Sequence, residues 1–193
     1  MAISVTIRHL NRQSSQNAPA QPATGRPMRI AIISDTHMPR GNRRLPAACL
    51  AQLAAADLIV HAGDLCSLEV LRTLEQINPV VAVAGNVDDA QLRTLLPETR
   101  LVVLGDGLKL GVIHDAGPAR GRLERMRRRF PEAAAVIFGH SHLPLRERAP
   151  DGFQIFNPGS PTERRRAPNR TMGMARKING QVEFELVDLG LER

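Results

Sequence analysis

Five short apolar runs, Arg29–Ser34, Leu58–Val60, Val80–Ala84, Val112–Ile113 and Ala135–Phe138, recur along the chain, and each breaks off in polar residues. Short, β-branched runs of this kind are the pattern of strands buried on both faces. Helical stretches lie between them: Leu45–Ala55, Ser67–Ile77, Asp88–Leu96, which opens on two acids, and the basic Pro118–Phe130. Strands alternating with helices predict βαβ units and a mainly parallel sheet. Two hairpin signals depart from that rule. Gly105-Asp106-Gly107 separates Leu101–Leu104 from Leu108–Val112, and Asn179-Gly180 separates Thr171–Ile178 from Gln181–Val187. In the last strand Val182, Phe184 and Leu186 alternate with polar residues, which predicts one buried face. An α/β layout that ends in antiparallel strands points to two sheets.

The polar residues at the strand ends are of metal-ligand type. They read Asp35-Thr36-His37, Gly63-Asp64, Gly85-Asn86-Val87-Asp88, His114-Asp115 and Gly139-His140-Ser141-His142. In open α/β sheets ligands bind beyond the carboxyl ends of the strands, so five ends are expected to converge on one site. A period of two puts Asp35 with His37, and His140 with His142, on common sides. Imidazole with carboxylate and amide oxygen, and no thiolate, suits Mn, Fe, Zn, Ni or Co. Seven such side chains are too many for one tetrahedral ion and suit two, with one carboxylate as a bridge. His61, inside a strand, reads as a hydrogen-bonded core residue. Met172 and Met174, two apart on a strand, read as core.

In this order the five motifs resemble the calcineurin-like metallophosphoesterases, and most of all their small single-domain bacterial and archaeal phosphodiesterases. Asn157-Pro158-Gly159-Ser160, after a short strand, also matches that subgroup. The resemblance covers Met28 to about Leu189 and implies an α/β fold, a four-layer α/β/β/α sandwich with two mixed β-sheets. Carried over motif by motif, it implies that Asp35, His37, Asp64 and His142 hold one divalent metal. Asp64, Asn86, His114 and His140 then hold a second, with Asp64 bridging. Manganese is the first expectation, with nickel, iron, zinc, cobalt or magnesium as alternatives. The implied reaction is hydrolysis of a phosphodiester by a hydroxide bridging the two metals, with Asp64, Asn86 and His140 the catalytic set. Asn86, Ser160 and Arg164 are the residues expected to meet substrate; Arg164, Arg165 and Arg166 otherwise read as a solvated charge run. Larger phosphatases of the family carry His after the Asn of the third motif. Here the position is Val87, which cannot donate a proton. Asp115 reads equally as a partner orienting a ligand histidine or as a solvated loop acid.

Composition narrows the alternatives. The chain has 193 residues, enough for one ordinary domain, and no apolar run of the roughly 18–20 residues a spanning helix needs. Its two cysteines build no disulfide framework, so a reducing, cytoplasmic location is expected. The net charge is +7, of which Arg8, Arg12 and Arg26 supply three, leaving a mildly basic +4 for the rest. Such a field suits a small anionic phosphoester. All five aromatics are Phe, so a base-stacking surface is hard to build and nucleic acid is not the expected partner. Residues 1–27 read as a disordered leader or an over-extended start, and 28–193 as the domain. The runner-up function is a non-catalytic scaffold of the retromer-subunit type, which has no reason to keep all seven ligands. A homo-oligomer is left open.

Overall fold

A computed structural model describes residues 27–178 and 180–190, so residues 1–26 of the expected leader lie outside the described residues. Ten strands and four helices follow one another as β1 (Arg29–Ile33), α1 (Ala47–Ala54), β2 (Leu58–His61), α2 (Leu68–Glu75), β3 (Val80–Ala82), α3 (Ala90–Leu95), β4 (Thr99–Val103), β5 (Lys109–Ile113), α4 (Arg122–Arg129), β6 (Ala135–Ile137), β7 (Leu145–Arg148), β8 (Gln154–Asn157), β9 (Arg170–Ile178) and β10 (Gln181–Gly190), counted among the described residues. They form two five-stranded sheets, ordered β10-β9-β1-β2-β3 and β4-β5-β6-β8-β7. Both are mixed. In the first, β1, β2 and β3 are parallel and the β9–β10 hairpin is antiparallel. In the second, β5, β6 and β8 are parallel while β4 and β7 run antiparallel at the edges.

Strand alternation distributes the apolar residues over three interfaces. Ile30, Ile32, Leu58 and Val60 meet Leu110, Val112, Ala135 and Ile137 between the sheets. Ala31, Ile33 and Ile59 face the other way, under Leu53, Leu71, Leu74 and Leu92 of the first three helices. Met126 and Phe130, at the α4 end, cover Val136 and Ile155 on the far face of the second sheet. The four-layer sandwich is therefore present, with Met172 and Met174 both buried, as expected, on the helix side of the first sheet. Phe156 and Phe184 stack across the sheets, ring centroids 4.6 Å apart.

Three local expectations are revised. Leu186 is 46% exposed, on the edge strand β10. The third helix starts at Ala90 instead of Asp88: Asp89 is its cap, its Oδ1 accepting the Leu92 N–H at 2.8 Å. The fourth starts at Arg122, after Gly121 at φ 67°, a left-handed conformation that interrupts any helix from Pro118. Among the described residues no helix is long and apolar enough to cross a membrane.

Candidate metal centre

The ends of β1, β2 and β3 in one sheet and of β5 and β6 in the other meet at one edge of the sandwich, and all seven expected side chains assemble there. His37 Nε2 lies 3.1 Å from His142 Nε2 and 3.5 Å from Asp64 Oδ2. His142 Nε2 lies 3.4 Å from Asp35 Oδ1. On the other side of Asp64, His114 Nε2 is 3.4 Å from the same Oδ2 and 3.0 Å from Asn86 Oδ1. His140 Nδ1 closes that group at 3.0 Å from Asn86 Oδ1 and 3.3 Å from His114 Nε2. Asp64 Oδ2 thus lies within 3.5 Å of a histidine on either side. Asp35, His37, Asp64, His114 and His142 are buried, whereas Asn86 and His140 are exposed at the mouth.

The backbone is bent to present these groups. Among the described residues seven non-glycine positions have positive φ, and five of them are Asp35, His37, Asp64, His140 and His142. Such conformations cost of order 1–3 kcal/mol each and persist where the surroundings enforce them. The surroundings are visible here. Asp35 N–H donates to the Gly63 carbonyl and His37 N–H to the Asp64 carbonyl, each at 3.0 Å. Asp35 accepts the His140 N–H at 3.1 and 3.0 Å, tying one sheet to the other. The motif glycines make room. A Cβ on Gly85 falls on Asp64 Oδ1, and one on Gly139 falls on Ser34 Oγ and 2.7 Å from Asp35 Oδ2. Gly139→Ala is accordingly expected to cost about 1–3 kcal/mol, read as a lowered Tm together with weakened cation uptake; an unchanged Tm and uptake would refute the packing argument.

Orientation comes from behind. His114 Nδ1 donates to the Ala62 carbonyl at 2.8 Å and His142 Nδ1 to the Glu163 carbonyl at 3.2 Å, so both leave Nε2 free to face the centre. Asp115 is not the orienting partner of His114: its Oδ1 accepts the Gly117 N–H at 2.7 Å in an exposed loop. Asp88, read as a helix-start acid, is a buried clamp whose oxygens accept the Cys66 and Gly85 N–H groups, both at 2.7 Å. Ser160 lies beneath the centre instead of facing substrate; it is 1% exposed, and its hydroxyl donates to the Asp35 carbonyl at 2.8 Å. Arg164 turns back on its own loop, toward the Ala167 and Pro168 carbonyls at 3.4 and 3.5 Å. His61 is a buried core residue as expected, its Nε2 3.1 Å from Thr36 Oγ1 and its Nδ1 without a hydrogen-bond partner among the described residues.

The electrostatics favour a cation. Burial pushes the Asp35 carboxyl up to about 7, against the pull of His114 and Ser34. At Asp64 burial also pushes upward, but His114, the Val87 N–H and His37 outweigh it and hold the carboxyl at about 2. Burial lowers His37 and takes His142 down to about 4, leaving those two imidazoles neutral with lone pairs to offer; at His114 burial pulls the same way, but Asp64 and Asp35 outweigh it and raise the ring. Asp35, His37 and His142 form one compact donor group, and Asp35, Asp64 and His114 another. Neutral imidazoles with carboxylates form a donor set that fits divalent transition metals. Cys66 Sγ sits behind the His37 ring, 4.0 Å from Nδ1, and takes no part in either group.

The family model described as the calcineurin-like phosphoesterase superfamily domain matches residues 28–178. The chain belongs to that family. A probable metallophosphoesterase of Methanothermobacter thermautotrophicus is 34% identical over 166 residues, covering 84% of this chain and 94% of the relative. Another from Methanocaldococcus jannaschii is 34% identical over 168 residues, 86% of this chain and 83% of its own. Among solved structures, a protein described as a novel archaeal phosphodiesterase is similar with TM-score 0.62 and 24% identity, covering 83% of this chain and 100% of that one. Vps29 of Entamoeba histolytica is similar with TM-score 0.66 and 24% identity, covering 83% and 99%. At that identity the two structures speak to the fold alone. This calcineurin-like phosphoesterase thus has the family's fold and candidate groups of metal-binding residues.

Proposed function

We propose that the chain is a metal-dependent phosphodiesterase acting on a small phosphoester, and that its centre takes two divalent cations, manganese first among them. Asp35, His37, Asp64 and His142 hold one; Asp64, Asn86, His114 and His140 hold the other. The observation that carries this reading is the position of Asp64 Oδ2, 3.5 Å from His37 Nε2 and 3.4 Å from His114 Nε2. Cations so held supply Lewis acidity toward phosphoryl oxygens and lower the pKa of a water. The chain's own residues do the rest. Asn86 and His140, exposed at the mouth, are the groups a bound ester meets first. The Val87 N–H holds Asp64 Oδ1 at 3.0 Å and so fixes which oxygen turns inward. The Ala62 and Glu163 carbonyls keep the His114 and His142 rings from turning.

A scaffold of the retromer-subunit kind is the competing reading, favoured only by the likeness to Vps29 structures. It gives no reason for four buried ligand-type residues, Asp35, His37, Asp64 and His142, on a strained backbone. Metal-stripped protein, reloaded in turn with Mn, Ni, Mg and Zn, is expected to hydrolyse bis(4-nitrophenyl) phosphate and to take up two equivalents of metal. Uptake without turnover of any mono- or diester would support the scaffold instead.

A further inference from the structure

The loops that follow β1 and β8 carry charge out of proportion to the rest of the rim. Residues 38–46 hold Arg40, Arg43 and Arg44 with no acid, and residues 158–169 hold Arg164, Arg165 and Arg166 with Glu163 as the one acid. Glu163 joins the two loops. Its Oε2 lies 3.3 Å from Arg43 Nη2, and its Oε1 lies 3.8 Å from Arg165 Nε. One carboxylate between two guanidinium groups leaves a positive charge over. Arg43 is held in place by a second bond, Nη1 to the Arg40 carbonyl at 3.0 Å. Arg165 has φ 47°, one of the two positive values outside the donor set among the described non-glycine residues. Both charges are felt at His37, and that of Arg165 at His142 as well.

Glu163, which joins the pair, stands behind His142 and not at the centre. Glu163 Oε2 is 3.9 Å from His142 Nδ1, the nitrogen that faces away, while His142 Nε2 faces Asp35 and His37. The whole imidazole ring therefore separates the bridge from the donor groups. His142 has 0% side-chain exposure, whereas Arg43 and Arg165 keep 31% and 48%. Asn86 and Val87, beside the other donor group, carry no charge.

We propose that Arg43 and Arg165, bridged by Glu163 behind His142, form a subsite for a second phosphate group on the substrate, carried beyond the scissile ester. This rests on the phosphodiesterase reading and narrows it to diesters whose alcohol part is itself phosphorylated. Guanidinium forks suit phosphate oxygens, and a phosphate that displaces part of the Glu163 contact replaces one anionic partner by another. It also orients the ester, with the phosphorylated side toward Arg43 and Arg165 and the other toward Asn86.

The test compares the full-length manganese-loaded wild type with Arg43→Gln/Arg165→Asn, Asn being tolerant of the left-handed backbone at that position. Two substrates are used: bis(4-nitrophenyl) phosphate, and the 4-nitrophenyl ester of thymidine 3′-phosphate bearing a 5′-phosphate. The variant is expected to raise KM for the phosphorylated diester by about 10- to 100-fold, with kcat and the simple diester changed by no more than about twofold. Equal losses on both diesters would show that the pair merely braces two loops, and no loss on either would remove it from recognition; both outcomes overturn the proposal. A second readout needs no turnover. Calorimetric titration of the metal-free chain with pyrophosphate should show binding that weakens in the variant and with added salt. Pyrophosphate binding that is absent, or indifferent to the substitutions, also overturns it. If no diester is hydrolysed with any metal, the phosphodiesterase reading fails while this titration still decides the subsite.

Discussion

Asp64→Asn is expected to abolish diester hydrolysis and to cut metal uptake sharply, while the protein stays folded. Asp64 Oδ1 accepts the Val87 N–H at 3.0 Å, a bond that an amide oxygen can keep. The residue sits at φ 62°, a left-handed conformation that Asn adopts more readily than most residues. The local fold therefore tolerates the change. What is lost is the Oδ2 anion, 3.5 Å from His37 Nε2 and 3.4 Å from His114 Nε2, where an NH2 group now points at two would-be ligands. Changes even to groups that only support a metal ligand cost about 10–100-fold in affinity or activity, and a shared ligand should cost at least the upper end of that range. Elemental analysis of the purified variant, with its thermal unfolding curve beside it, is the measurement. Two full equivalents of metal per chain would remove Asp64 from the role of shared ligand.

The second large effect concerns the leaving group. An alkoxide is a poor leaving group unless something protonates it, and Val87 stands where larger phosphatases of the family carry a histidine. The structure accounts for three nearby carboxyls that could have substituted. Asp88 is 1% exposed with both oxygens engaged by backbone N–H groups. Asp115 caps a turn through the Gly117 N–H. Glu163 is committed to Arg43 and Arg165. Positioned acid catalysis is typically worth about 10²–10⁴-fold, so wild-type protein should favour aryl diesters and be poor on alkyl monoesters. Val87→His should raise the ratio of monoesterase to diesterase activity by an appreciable part of that factor. Alkyl monoesters turned over faster than aryl diesters by the wild type, with every metal tried, would mean that an acid exists elsewhere.

What could be read from sequence was whatever is written in period and punctuation. A strand buried on both faces must be a short apolar run, so β1, β2 and β6 announced themselves, and with them the polar ends that carry Asp35, Asp64 and His140. The two hairpins were legible from glycine-containing turns. β7 was not, because Leu145-Arg146-Glu147-Arg148 lies on an edge and three of its four side chains are exposed. The roles of polar residues near the centre were harder still. Ser160 and Arg164 follow a phosphoesterase motif, yet where a hydroxyl or guanidinium points is decided by loop closure. Ser160 is turned under Asp35, and Arg164 toward the Ala167 and Pro168 carbonyls. Nothing local distinguishes Arg165 from its neighbours in a run of three. Asp88 shows a related limit: an acid ahead of a helix usually serves the helix, and here Asp89 does that while Asp88 bonds to a different strand's loop.

The centre draws donors from both sheets, Asp35, His37, Asp64 and Asn86 from one and His114, His140 and His142 from the other. Elsewhere the sheets meet through apolar contact, which is non-directional, and are pinned on the β10 side by Arg146 and Gln154, which donate to the Phe184 and Val182 carbonyls. A ligand gripping both halves acts as a clasp at one end of a hinged book. By linkage, a site filled at a hundred times its Kd adds about 2.7 kcal/mol to the folded state, and here that increment falls on the relative position of the two leaves. The loaded and the empty protein should then differ less in what each sheet looks like than in how freely one moves against the other.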